Sequence, residues 1–205
     1  MDKYSLHLGD CLEFMKSMPD KSVDAVITDP PYPCYNSDHG KQWEYVPIEK
    51  IYNLTCKYLI FWPADREFPF LYSAMHIWVK PNGQSNLHYE LIYELNGNQV
   101  YRVFRVPIIN YETLPEWTPH PSQKPERLMR QLIQRFTKRD DTIFDPFMGS
   151  GTTGVACMQL GRNFIGCEID PKYYAIAEKR IHDASLQPQL FTEPKHDEEK
   201  QDTLI

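Results

Sequence analysis

The chain has 205 residues, 41% of them hydrophobic and 24% charged, with a formal net charge of -6. That length supports one α/β domain with a real core, and no apolar run is long enough to cross a bilayer, so two full-sized domains and a helical membrane protein are excluded. The start, MDKYSLHLGDC, has neither a basic nor an apolar leader region, and the expected location is cytoplasmic. Five cysteines (Cys11, Cys34, Cys56, Cys157, Cys167) form no CxxC pair, which argues against a disulfide framework and a structural metal site. Charge is uneven: residues 99–139 carry eight basic residues against three acids, while residues 193–202 carry five acids against two bases. A local basic stripe is enough to meet nucleic acid even on an acidic chain.

In chain order, Tyr4 to Leu8 predicts a short strand, and Cys11 to Met18 a helix, from the spacing of Leu12, Met15 and Met18. Val23 to Thr28 predicts a buried strand, and 33–50, rich in proline and small polar residues, a long loop. Ile48 to Cys56 suits a helix. Tyr58 to Trp62, His76 to Val79 and Leu87 to Leu95 predict strands, the last closed by the turn signal Asn96-Gly97. Gln99 to Val106 is expected to return as a hairpin on its predecessor, forming an antiparallel edge. Pro125 is placed to start an amphipathic helix carrying Leu128, Leu132 and Phe136. Strand Thr142 to Phe144, helix Thr152 to Leu160 with its stop at Gly161, strand Asn163 to Cys167 and a helix capped by Asp170 complete the pattern. The expected organisation is one domain over 1–186, with a reduced recognition region at about 33–50 and 96–120, and an acidic, disordered tail at 187–205.

Residues 142–170, TIFDPFMGSGTTGVACMQLGRNFIGCEID, are the most informative stretch. Gly149, Gly151 and Gly154 satisfy G-x-G-x-x-G between a predicted strand and helix, and Glu168 closes the next strand. Glycines let a ligand approach a helix N-terminus, and an acid on the following strand can accept from both hydroxyls of a ribose. A nucleoside-type cofactor is implied: a dinucleotide, or S-adenosylmethionine. Asp145 favours the second, because an acid ahead of the glycines repels pyrophosphate and attracts a cationic methionyl end, directly or through water.

The stretch VDAVITDPPYPCYN at 23–36 sends a buried strand into an acid, two prolines and a tyrosine. A solvent-facing turn is the simple reading. The chemical one starts from an exocyclic amino nitrogen, whose lone pair is delocalised into the ring of its base. A carboxylate at Asp29 and the carbonyl of Pro30 can accept its two hydrogens, favouring a more tetrahedral nitrogen with its lone pair toward a methyl donor. Pro30 and Pro31 hold those acceptors rigidly and add no competing donor. Tyr32 offers a face for a base taken out of its stack.

DPPY at 29–32, HPSQKPERLMRQLI at 120–133 and DPFMGSGTTGVACMQLGRNFIGCEIDPKYYAIAEKRI at 145–181 resemble the β-class amino-methyltransferases of DNA, in which the catalytic tetrapeptide precedes the cofactor loop. LHLGDCLEFM at 6–15 is similar to the start of that family. The resemblance implies a three-layer Rossmann-like α/β sandwich in permuted order and methyl transfer from S-adenosylmethionine to adenine N6 in DNA, with cytosine N4 as the alternative. It implies that Asp29, Pro30, Pro31 and Tyr32 hold the target base. By the same likeness Asp145, Phe147, Gly149, Ser150, Gly151 and Thr152 line the cofactor pocket, Glu168 binds the ribose, Asp10 and Cys11 lie near the adenine, and Lys124 meets the cofactor's carboxylate. Aspartate before PPY favours adenine. The implied partners are double-stranded DNA with a flipped target base and a second copy of the chain, in a restriction-modification or phage setting, with no metal and no membrane. Between Leu95 and His120 there is room only for a small insertion, so base reading falls to 33–50, to the surroundings of Arg102 and Arg105, or to the second subunit. A cysteine nucleophile at Cys34 and half of a zinc deaminase signature at His88-x-Glu90 are weaker readings. A nicotinamide oxidoreductase and a cofactor-binding partner subunit without catalysis are the competing functions.

Overall fold

The computed structural model describes residues 3–19, 21–31, 56–65, 67–80, 89–97, 100–107, 118 and 123–187. Twelve elements follow in order among them: β1 (Tyr4–Leu8), α1 (Cys11–Lys16), β2 (Ala25–Thr28), β3 (Lys57–Trp62), β4 (Ala74–Val79), β5 (Tyr89–Leu95), β6 (Val103–Arg105), α2 (Glu126–Phe136), β7 (Thr142–Asp145), α3 (Thr152–Leu160), β8 (Asn163–Glu168) and α4 (Pro171–Ser185). The eight strands form one sheet in the order β1-β8-β7-β2-β3-β5-β4-β6. No described helix is long and apolar enough to cross a membrane.

Strand alternation divides the core in two. Ile27, Leu59, Phe61 and Ile92 point to the face covered by α2, α3 and α4, whose Leu128, Leu132, Val155, Ala177 and Ile181 are buried against them. Val26, Tyr58, Ile60 and Trp62 point to the opposite face, where Cys11 of α1 and Phe68 pack. Each fully buried leucine, isoleucine or phenylalanine contributes roughly 1.5–3 kcal/mol of transfer free energy, so both layers hold the sheet. The α/β sandwich and its permuted order are as the resemblance implies.

One strand pairs differently from the expectation. β5 is the antiparallel member, and it lies inside the sheet between β3 and β4. β6 occupies the edge and runs parallel to β4, with Trp78 opposite Phe104, so Gln99 to Val106 makes no hairpin with β5. Alternating side chains mark a strand without naming its neighbour; here Trp78 Nε1 donates to the Val106 carbonyl at 2.8 Å and ties the edge to β4. The segments 33–50 and 108–117 and the tail from 188 onward lie outside the described residues, as do Tyr32, Cys34 and His88.

At the centre, β2 pairs in parallel with both β3 and β7. The chain leaves β2 toward β3 and leaves β7 toward β8, in opposite directions along the sheet. That reversal opens a crevice beyond the carboxyl ends of β2 and β7, the place where open α/β sheets bind ligands.

Candidate active site

The loop after β7 is shaped by packing as much as by turn geometry. Gly151 has φ +82°, and a Cβ there would fall 2.9 Å from the Ala177 backbone. At Gly154 a Cβ would lie 2.5 Å from Ile181, so the third glycine of the motif lets α3 seat against α4. From α4, Arg180 donates to the Ser150 carbonyl at 2.6 Å and to Glu126 at 2.8 Å, fastening loop, α4 and α2 together. Ser150 Oγ donates to Gln123 Oε1 at 3.1 Å, which links the glycine loop to the segment carrying Lys124.

Glu168 ends β8 beside the loop. Its Oε2 accepts from the Gly149 N–H at 2.9 Å and its Oε1 from the Asp170 N–H at 2.8 Å. A carboxylate has about four lone-pair directions, so each oxygen keeps acceptor capacity. Burial pushes the Glu168 carboxyl up, against the pull of these backbone donors. Leu8, opposite Glu168 across β1 and β8, is 48% exposed, and Ile169 is 67% exposed. An acid able to take ribose hydroxyls, flanked by two exposed apolar side chains for a base, suits the nucleoside half of S-adenosylmethionine.

Asp10, expected near the adenine, caps α1: its Oδ1 accepts from the Leu12 and Glu13 N–H groups at 2.7 and 3.3 Å. Cys11 is buried, and burial followed by the Asp10 charge pushes its thiol up to about 12.

Asp145 is 3% exposed and does not open directly to a ligand. Thr28 Oγ1 and the Phe147 N–H donate to Oδ1 at 2.8 and 3.1 Å, and Thr153 Oγ1 donates to Oδ2 at 2.6 Å. Burial pushes its carboxyl up to about 6, the bonds from Thr153, Thr28 and Phe147 oppose this, and the charge of Asp29 adds to it. Asp145 therefore fixes the loop from behind the crevice, through its bonds to Thr28, Phe147 and Thr153. Thr28, one residue before the DPPY tetrapeptide, joins the two motifs; a hydroxyl ending a buried strand next to an acid was the sequence signal for it.

Asp29 follows β2 at the crevice, with Pro30 buried and Pro31 partly buried. Lys124, expected at the cofactor's carboxylate, donates from its ammonium to Asp29 Oδ2 and lies 3.5 Å from Glu90 Oε2. Glu90 in turn pairs with Lys80. Asp29, Lys124, Glu90 and Lys80 form a line of alternating charges across the carboxyl ends of β2 and β4 and the start of β5. Glu90 and Lys80 were not expected here; the signal was YELIYEL, where Glu90 shares a sheet face with the buried Ile92 and so calls for a cation. Tyr32 lies outside the described residues. Among the described residues no group of His, Cys, Asp or Glu side chains could hold a metal.

The model of the N6_N4_Mtase family, described as DNA methylase, matches residues 49–179. The type II methyltransferase M2.MboI of Moraxella bovis is 26% identical over 98% of this chain and 95% of its own length. M2.DpnII of Streptococcus pneumoniae, also a type II methyltransferase, is 38% identical over 63% of this chain, an aligned part that covers 46% of the relative. The crystal structure of an M1.HpyAVI-SAM complex superposes with a TM-score of 0.61 at 27% identity, covering 86% of this chain and 99% of the other.

Proposed function

The chain belongs to the S-adenosylmethionine-dependent DNA methylase family, the amino-methyltransferases of adenine N6 and cytosine N4, and from that premise we propose that it methylates the exocyclic N6 of adenine in DNA. The observation that carries the reading is the meeting of Asp29 and the glycine loop at one crevice, with β2 and β7 adjacent in the sheet. S-adenosylmethionine, the family's cofactor, supplies an electrophilic methyl group when bound. Phe147, Gly149, Ser150, Gly151, Thr152 and Glu168 would hold it, with Asp10 and Cys11 at the adenine side and the charge of Asp145 favouring its cationic end.

Asp29 and the Pro30 carbonyl accept the amino hydrogens, raise the electron density on nitrogen and direct its lone pair at the methyl carbon, with S-adenosylhomocysteine as the leaving group and the surplus amino proton passing by way of Asp29 to solvent. Proline at 30 and 31 fixes both acceptors in place. The base enters the crevice flipped from its duplex, with Tyr32 as its stacking partner. Aspartate rather than serine ahead of PPY supports adenine over cytosine. The type II names of the relatives support a role in restriction-modification. With room for only a small insertion between Leu95 and His120, base reading falls to residues 33–50, to the surroundings of Arg102 and Arg105, or to a second copy of the chain.

The test is direct. Purified protein with tritiated S-adenosylmethionine and mixed-sequence duplex DNA should label adenine, with loss of label in Asp29→Ala while S-adenosylhomocysteine binding persists. Label in cytosine would move the assignment to N4, and label confined to RNA would change the substrate. A folded, cofactor-binding protein without transfer activity would point to a partner subunit.

A further inference from the structure

The ion line beside Asp29 has a shape that the cofactor and base sites do not require. Asp29, Lys124 and Glu90 are all partly buried, with side-chain exposures of 22%, 13% and 23%, and Lys80 is 8% exposed. Glu90 Oε1 is taken by Lys80, whose ammonium also lies 4.8 Å from the centre of the Trp78 ring. Its Oε2 is buried and makes no hydrogen bond among the described residues, yet faces the Lys124 ammonium at 3.5 Å. Lys124 rests 5.0 Å from the centre of the Phe61 ring, an apolar platform within reach of both carboxylates.

An amino group arriving at Asp29 meets a competitor. An ammonium is a stronger donor than the N–H of a base amine, and Lys124 already occupies Oδ2. Lys124 cannot simply withdraw, because a desolvated ammonium without an anion is strongly disfavoured. Glu90 Oε2, which the ammonium already faces at the long distance of 3.5 Å, resolves the conflict by taking it fully. Burial raises the Glu90 carboxyl, but Lys124 and Lys80 outweigh it and bring it below its ordinary value, so it stands as an anion.

We propose that Glu90 is a positioning residue for methyl transfer: it receives the Lys124 ammonium when the target amino group engages Asp29, with Lys80 holding Glu90 in place. This rests on the reading of Asp29 as the acceptor for the amino group. The displacement needed is short: the ammonium stays against a carboxylate throughout, and Asp29 exchanges its ion pair for hydrogen bonds from the amino group. Neither Glu90 nor Lys80 touches the reacting atoms; both act through Lys124.

Glu90→Gln, Lys124→Met and the double variant would be assayed with tritiated S-adenosylmethionine and duplex DNA, with melting curves and S-adenosylhomocysteine calorimetry alongside. Glu90→Gln is expected to lower kcat about tenfold or more, in keeping with the cost of a misplaced active-site group, with KM for DNA and S-adenosylhomocysteine affinity within about twofold. In the Lys124→Met background the same change should cost little more, since residues acting through one path are not additive. A wild-type kcat in folded Glu90→Gln, or losses that multiply in the double variant, would overturn the proposal. Should Glu90→Gln fail to fold, Glu90→Asp keeps the charge against Lys80 and withdraws it from Lys124; reduced kcat with normal melting supports the proposal and a wild-type kcat refutes it. Asp29→Ala in parallel separates the two ideas. Methylation that survives it removes the acceptor role and this proposal together, whereas a dead Asp29→Ala beside a fully active Glu90→Gln removes this proposal alone.

Discussion

Replacing Asp145 by asparagine should make the protein more stable at neutral pH and less able to bind its cofactor. The folded carboxyl titrates at about 6 against an ordinary value of 3.8, with burial as the main cause. Between those values the folded protein retains a proton that the unfolded chain releases, so stability falls as pH rises through the window. At 1.36 kcal/mol per pH unit the charged form costs about 3 kcal/mol at pH 7.5 and about half of that at pH 5. Asparagine keeps one acceptor for a threonine hydroxyl and removes the charge. Urea denaturation of both proteins at pH 5.0 and 7.5, followed by circular dichroism, reads the difference. The variant should gain up to about 3 kcal/mol at pH 7.5, less any cost of turning one hydroxyl to accept rather than donate, and the gain should shrink at pH 5.0. Calorimetry should show weaker S-adenosylmethionine binding in the same protein if, as proposed, the charge that destabilises the fold also favours a cationic ligand. A stability difference that does not change between the two pH values would refute the account of Asp145.

Two further perturbations probe the loop and the thiols. Gly151→Ala forces a side chain into left-handed backbone against the Ala177 backbone; it should lose about 2 kcal/mol or more and weaken S-adenosylhomocysteine binding, checked by denaturation and calorimetry. Burial pushes the Cys56 thiol up to about 11 and the Cys11 thiol up to about 12, and it raises those of Cys157 and Cys167 as well. Iodoacetamide at pH 7.5, read by mass spectrometry, should leave these four unmodified in the native protein and label them in denaturant; rapid native labelling of Cys11 would contradict its burial.

Much of the architecture was legible because short, strongly patterned segments leave little choice. Helix α3 runs from Thr152 to Leu160 as read, since the glycines before it and Gly161 after it, with φ +72°, mark both ends. The strand at 103–105 was visible, but its parallel pairing with β4 was not, because alternation records which side is buried and says nothing about the neighbour. The same limit applies to the site. The motifs placed Asp29, Asp145 and Glu168 at strand ends, where the structure has them. Their partners come from distant segments: Thr28 reaches Asp145 across adjoining strands, and Glu90 meets Lys124 from an antiparallel strand whose place in the sheet no local pattern encodes. The Asp145 carboxyl looked available in sequence because burial and hydroxyl donors are properties of the assembled layers.

The pairing of β2 with β7 also sets an order of events during synthesis. Ala25 and Val26 find Ile143 and Phe144, and Tyr4 to Leu8 finds β8, only after most of the chain has left the ribosome. Pairings so distant in sequence make folding slow relative to helix-rich domains and leave the first-made strands exposed while they wait. The half carrying Asp29 is made early, but β2 gains β7 only late, so an interrupted chain has the DPPY segment without the glycine loop beside it. Methylating ability is thereby tied to completion of the sheet, and nascent fragments that end before β7 are the ones that need protection from aggregation.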